Sequence, residues 1–507
     1  MLSKASRFVL YPIIFWLTGL AYSQEVWDVL QTTWNRTALL QYQKQSPPII
    51  FSNQPASASA NILVKDTEIY QPVLGVGGTL TDSSAQLLRN LKSANTQSYW
   101  ELIHYMFSPE EGAKSGALSY LRVPLGATDF SAGVYSYDDF DGDLCLNDFT
   151  VSIAPDYVFE VLNDIKSVNS MLRVHLLPWS PPAWMKDSGT AFGGSLLPQY
   201  VPIYAHYLLK SLQAFESKGI LAYAISIQNK PMLETTTHPT ARFTPQTEAQ
   251  VGKALRALMN SKRWKNTKLI GFEQNWDKVG DYPVRLMQNA GSDVFDGVAF
   301  HCAAGTVNQQ DAFHSAYPEK EIYFTECTGT HGTDWWGDIK WYMDNIFIGS
   351  IQHNAQAALM WNLALDGSGN PMLLGASTCG NPGCRGIVTI NANGTWNVNQ
   401  EFYAMAQLAK GTIPRDIGGP VARRIGVAVQ GTSSATLRVG AYVTHRAKST
   451  DSLRYSLVVM NWNDSANTKW NPQNVTSTIE FQGKRITYTF PVGVTTLWWY
   501  DCNPRAP

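Results

Sequence analysis

Between residues 73 and 408, short apolar runs alternate with longer stretches whose apolar residues recur every three or four positions. The runs occupy residues 73–80, 118–125, 172–179, 221–228, 268–274, 294–302, 321–327 and 357–365. Runs of this length, apolar on successive positions, suit strands buried on both faces. The intervening stretches carry the helical period; in residues 201–217, Tyr204, Tyr207, Leu208 and Leu212 share one face. Eight strands alternating with helices predict a (β/α)8 TIM barrel. An open doubly wound sheet fits less well. Gly75, Gly77 and Gly78 at the first strand lack the spacing of a phosphate-binding turn.

Beyond residue 411 the pattern changes. Short β-branched runs at 435–439, 455–460, 476–481 and 486–490 alternate with polar turns, as in an antiparallel sandwich. Residues 49–70 have the same character and are expected to join that sandwich, with a Ser/Ala-rich loop over 52–60. The predicted fold is therefore α/β, a TIM barrel over 71–410 with an attached β-sandwich from 24–70 and 411–507. Ahead of it, Lys4 and Arg7, an apolar stretch over 8–20 and Ala21-Tyr22-Ser23 form a signal-peptide pattern over 1–23. That stretch is short for a membrane span, and no later segment has the unbroken length for stable insertion.

Composition narrows the function. A formal net charge of -1 gives no basic footprint for nucleic acid. Aromatic residues reach 12%, with 17 Trp and 23 Tyr, which suits either an aromatic core or stacking platforms for pyranose rings. Asn35, Asn393, Asn463 and Asn474 head N-glycan acceptor triplets. Six cysteines, an even number, suit disulfides in an oxidising compartment. Together with the leader, they predict a secreted protein, extracellular or in a cell wall. Cys379 and Cys384 bracket a Gly-Asn-Pro-Gly turn and are expected to pair, whereas Cys145, Cys302, Cys327 and Cys502 have no partner assignable from spacing. No metal-ligand spacing occurs, no cofactor is implied, and the oligomeric state is left open.

In a TIM barrel, chemistry gathers at the C-terminal ends of the strands. Reading those ends in turn yields Arg122 with Asp129 downstream, Trp179, the run Gln228-Asn229-Lys230-Pro231, His301, Glu326 and Trp361. Hydroxyl-binding groups beside indole platforms are what a sugar pocket needs. For each residue singly, a structural role is nearly as good a reading; their shared location favours binding.

Three segments carry a resemblance: Gly75-Val-Gly-Gly-Thr-Leu-Thr-Asp82, Trp179-Ser-Pro-Pro-Ala-Trp-Met-Lys186 and Phe324-Thr-Glu-Cys327. The chain resembles glycoside hydrolase family 30, which includes glucosylceramidases and fungal endo-β-1,6-glucanases, from about residue 62 to 500. The resemblance implies a retaining β-glycosidase acting on β-glucan or β-glucosides. Glu326 matches its nucleophile, Asn229 a ligand of the sugar 2-hydroxyl, and Arg122, Asp129, Trp179, His301 and Trp361 its pocket. The family's acid/base glutamate, however, is here Lys230. An ammonium is a poor proton donor near neutral pH and cannot activate water. Three readings stay open: an impaired or inactive, sugar-binding protein; a substitute carboxylate such as Glu234 or Glu273; or a single-base change in a glutamate codon.

Overall fold

A computed structural model of the chain describes residues 24–56, 58–448, 450–465 and 469–501. The predicted leader and Cys502 lie outside the described residues. Eight parallel strands close into a barrel: β1 (Gly75–Thr79), β2 (Tyr120–Leu125), β3 (Arg173–Pro178), β4 (Ala224–Ser226), β5 (Lys268–Asn275), β6 (Gly297–His301), β7 (Glu321–Glu326) and β8 (Ala355–Asn362). Each pairs with its neighbour in sequence, and β8 pairs with β1 to close the ring. All eight apolar runs thus become barrel strands. Every residue of β2 is buried, because its inward side chains fill the barrel while Leu121 and Val123 meet the surrounding core. The helix Val201–Ser217 buries the predicted Tyr204, Tyr207, Leu208 and Leu212. The glycines of β1 serve packing: a Cβ on Gly77 would lie 1.7 Å from the Tyr120 carbonyl oxygen, so only glycine lets β1 lie against β2.

Three barrel strands carry irregularities near their C-terminal ends. On β5 the register slips between Gly271 and Gln274, and Phe272 and Glu273 adopt φ of 76° and 40°. The extra residue reverses the in/out alternation. Phe272 therefore turns into the outer core, and Glu273 takes the inward position. Similar shifts fall between Phe324 and Glu326 on β7 and between Met360 and Asn362 on β8.

The second layer is a nine-stranded sheet in the order Gln41–Tyr42, Val26–Thr33, Gly493–Asp501, Leu453–Asn461, Leu437–Thr444, Ala422–Gln430, Ala60–Val73, Val475–Phe481 and Lys484–Phe490. Its pairings are antiparallel except that between Ala60–Val73 and Val475–Phe481. The sheet folds over itself like a sandwich. Phe481 meets Tyr455 at 4.6 Å and Trp499 at 5.2 Å between ring centres, although its strand is far in sheet order from the adjacent pair that carries them. Along Leu453–Asn461, Tyr455, Leu457 and Val459 enter that inner core, while Val458 and Met460 pack towards the barrel. The helix Gln400–Thr412 sits at this junction, where Ser456 Oγ donates to the Gly411 carbonyl at 2.6 Å. Two expectations need correction. The run at 435–439 becomes a strand only from Leu437, because Ser434–Thr436 form a 3-10 turn. Strands Val26–Thr33, Ala422–Gln430 and Gly493–Asp501 were not foreseen. Gly493–Asp501, a central strand buried on both faces, shows none of the alternation that marks a half-exposed strand.

Candidate active site

Arg122 stands two residues beyond Tyr120 on β2, its guanidinium fully buried. A buried cation is tolerated only when counter-charges and acceptors surround it. Here Nη1 donates to Glu326 Oε2 at 2.6 Å, and Nη2 donates to Asn229 Oδ1 at 2.7 Å and Glu273 Oε2 at 3.2 Å. The indoles of Trp179 and Trp361 stack on each other at 5.1 Å and lie 4.9 and 5.7 Å from the guanidinium carbon. One arginine thereby fixes two acids, an amide and the aromatic wall.

Glu273 is the lower anchor. Turned inward by the β5 bulge, it accepts from Ser226 Oγ and Thr325 Oγ1, each at 2.7 Å, and from His301 Nε2 at 3.0 Å. Burial alone would raise its pKa, but Arg122 and the His301 hydrogen bond outweigh that and hold the carboxyl well below the usual range. An ionised, fully enclosed carboxylate cannot donate a proton. Glu234, the other acid considered as a substitute, is half exposed; it accepts from the Gly194 N–H at 3.2 Å and lies 4.0 Å from Arg242.

Glu326 ends β7 and is nearly buried. Its Oε2 is held by Arg122, and its Oε1 lies 2.7 Å from Lys230 Nζ and 3.8 Å from His301 Nδ1. Burial opposes ionisation, yet Lys230 and Arg122 keep the carboxyl far below its ordinary pKa. Lys230 follows β4 in a left-handed conformation, φ 44°, and its backbone N–H donates to the Glu273 carbonyl at 3.0 Å. Its side chain is 25% exposed, the most accessible member of the cluster. The preceding Asn229 is set by its N–H bond to the Pro178 carbonyl at 2.9 Å. Because its Oδ1 already accepts from Arg122, its NH2 is the group left to donate.

His301 is buried, and burial lowers its pKa, so the ring is neutral. With Nε2 donating to Glu273, Nδ1 is an acceptor, and it has no hydrogen-bond partner among the described residues. Asp129 is similar. Its Oδ2 accepts from Thr378 Oγ1 at 2.6 Å, while the buried Oδ1 has no partner among the described residues. Thr378 belongs to the loop after β8, which folds back to share an apolar cluster with Phe130, Trp179 and Trp361. The Cys379–Cys384 disulfide, the pair expected from sequence, pins that loop. Two unpaired polar atoms beside stacked indoles are the signature of a site for a hydroxyl-rich ring.

Arg122, Asp129, Trp179, Asn229, Lys230, His301, Glu326 and Trp361 thus meet in one mouth. Sequence reasoning missed two participants and the role of a third. Glu273, considered as a substitute acid, is instead the buried partner of Arg122, a role that the bulge hid from the sequence. The Cys302–Cys327 disulfide joins the residues directly after His301 and Glu326, a pairing across adjacent strands that spacing does not reveal. His238, in the loop after β4, feels Asp129, Lys230 and Glu326 electrostatically. Nothing in the sequence around it signals this.

The chain and its architecture have counterparts. An endo-1,6-β-D-glucanase of Neurospora crassa is 30% identical over 386 residues, 72% of this chain and 76% of that protein. One from Trichoderma harzianum is 30% identical over 387 residues, covering 72% and 74%. Among solved structures, an endo-β1,6-glucanase superposes with a TM-score of 0.78 at 25% identity, over 93% of this chain and 99% of that one. SrfJ from Salmonella typhimurium shares the fold, with a TM-score of 0.80 at 20% identity over 94% and 99%. The family described as the glycosyl hydrolase family 30 TIM-barrel domain matches residues 73–410, the span that holds the barrel and every residue of the mouth. The chain belongs to glycosyl hydrolase family 30.

Proposed function

We propose that this family 30 glycosidase is a secreted retaining enzyme for β-glucan or β-glucosides, slowed by Lys230. Glu326 attacks the anomeric carbon; Asn229, Asp129 and His301 hold sugar hydroxyls; Trp179 and Trp361 form the wall. Retaining glycosidases use two carboxyl groups about 5–5.5 Å apart, one as nucleophile and one as acid/base. Lys230 occupies the second role's position and cannot fill it. The carrying observation is the clamp on Glu326: one oxygen on Arg122, the other 2.7 Å from Lys230 Nζ. An oxygen so paired is a weaker nucleophile, and loss of acid–base help costs about 10²–10⁴-fold. The similarity to endo-1,6-β-D-glucanases supports β-1,6-glucan as the polymer.

The test pairs the natural chain with a Lys230→Glu variant, assayed on 4-nitrophenyl β-glucoside and on β-1,6-glucan. The variant should gain most on the polymer; no gain there would sink this account of Lys230. Secretion is supported by the two disulfides and by the exposed acceptor residues Asn35, Asn393 and Asn474. Enzymatic removal of N-glycans from the protein recovered from culture medium should lower its mass. Recovery only inside cells, at the unmodified mass, would refute secretion.

The same clamp favours a second reading, a carbohydrate-binding protein without turnover. It predicts affinity for β-glucan oligosaccharides by calorimetry and no labelling of Glu326 by a fluoroglycoside.

A further inference from the structure

Lys230 sets an amine beside Glu326, and neither acid weighed as its substitute stands in its place. Glu273 is enclosed and ionised, and Glu234 is turned to a surface pairing. The Lys230 Nζ is 2.7 Å from Glu326 Oε1 on a side chain that is 25% exposed, so the amine can withdraw outward as a sugar enters. An ammonium stabilises an anion by charge and hydrogen bonding without transferring a proton to it. We propose that the chain transfers β-glucosyl groups between oxyanions, taking donors whose aglycone departs as an acidic phenolate, carboxylate or phosphate, with Lys230 pairing the departing charge. The proposal rests on Glu326 being the nucleophile.

The bookkeeping is complete without acid or base. A Glu326 oxygen forms a bond to the anomeric carbon while the bond to the aglycone oxygen breaks. The electron pair leaves on that oxygen, which the ammonium meets without protonating it. In the second half, an anionic acceptor gives a lone pair to the anomeric carbon and the electrons of the ester bond return to Glu326. Water as acceptor must lose a proton that Lys230 cannot take, whereas a carboxylate, phosphate or azide has none to lose. Anions should therefore outcompete water. Besides Arg122 and His301, which face Glu326 directly, the titratable groups that feel Lys230 and Glu326 are Asp129 and His238. Asp129 is tied to Thr378, and His238 Nδ1 lies 3.1 Å from Thr237 Oγ1.

The experiment uses the full secreted-length chain. Treatment with 2-deoxy-2-fluoro-β-glucosyl fluoride, whose fluoride needs no proton, should label Glu326; absence of label overturns the nucleophile assignment and the proposed function with it. Given labelling, 2,4-dinitrophenyl β-glucoside should turn over about 10³-fold faster than methyl β-glucoside. Formate or azide should raise its turnover and yield β-glucosyl formate or azide. Lys230→Ala should still be labelled but lose about tenfold or more on β-glucosyl phosphate, with Lys230→Arg retaining most of the rate. Three results overturn the inference while leaving the nucleophile intact. They are turnover insensitive to added anions, an unchanged rate on β-glucosyl phosphate in Lys230→Ala, and efficient alkyl glucoside cleavage whose pH limb vanishes in Asp129→Asn or His238→Ala.

Discussion

The barrel interior has two layers, built by the same strands and differing in chemistry. The lower layer is Leu74, Tyr120, Ala224, Ile270, Ala299, Tyr323, Ala357 and Leu359, an apolar fill. Two residues further along the strands come Arg122 above Tyr120, Ser226 above Ala224, His301 above Ala299, Thr325 above Tyr323 and Trp361 above Leu359. A strand period of two puts both members of each pair on the same face, so the sequence changes the chemistry without changing the geometry. On β5 the step from Ile270 is three, because the bulge intervenes and delivers Glu273. His175 marks the boundary: its Nδ1 lies 3.4 Å from the Tyr120 hydroxyl below and its Nε2 lies 2.7 Å from Ser226 Oγ above. The comparison separates two uses of burial. Below, burial stabilises by removing apolar surface from water. Above, the same burial strengthens every charge interaction and makes each charge dependent on its partner.

The contrast can be broken in four places, in order of expected effect. Lys230→Glu exchanges the odd charge in the upper layer and should raise kcat on β-1,6-glucan by about 10²–10⁴-fold, read from reducing-sugar release. Arg122→Leu strands the buried Glu273 charge without its cation and leaves Glu326 with Lys230 alone; urea unfolding should show a loss of about 3–5 kcal/mol. A loss under 1 kcal/mol would mean the upper layer does not depend on its cation.

Glu248 supports the β5 bulge from outside, accepting from the Phe272 N–H at 2.9 Å, and burial pushes its pKa from 4.5 up to about 7. A raised folded pKa means that the folded state binds more protons between pH 4.5 and about 7. This contribution to stability is therefore full below pH 4.5 and is lost as pH rises to about 7, amounting to about 3 kcal/mol. Glu248→Gln should flatten the fall in Tm over that window, and an unaltered slope would remove Glu248 as its source. The smallest effect belongs to Tyr120→Phe, which deletes one hydroxyl at the boundary and should cost about 0.5–1.5 kcal/mol by the same unfolding assay. A loss as large as that from Arg122→Leu would erase the distinction between the layers.

The sequence by itself determined the barrel strands and most of the residues of the mouth. Strands buried on two faces must be continuously apolar, so all eight were legible, and residues at their ends had to share one rim once the barrel closed. The Cys379–Cys384 pair was legible because a local turn brings it together. Tertiary structure alone decided what depends on parity or on neighbours distant in the chain. The β5 bulge inverted the alternation and made Glu273 the anchor of Arg122. Pairing of β6 with β7 put Cys302 beside Cys327 across a separation of 25 residues. Sheet order made Gly493–Asp501 central and hid its strand pattern. The resemblance named the position of Lys230, but only the closed barrel brought its amine to 2.7 Å from Glu326. Periodicity along a chain reports which way a side chain faces, and what it meets there is set by segments that the local pattern cannot see.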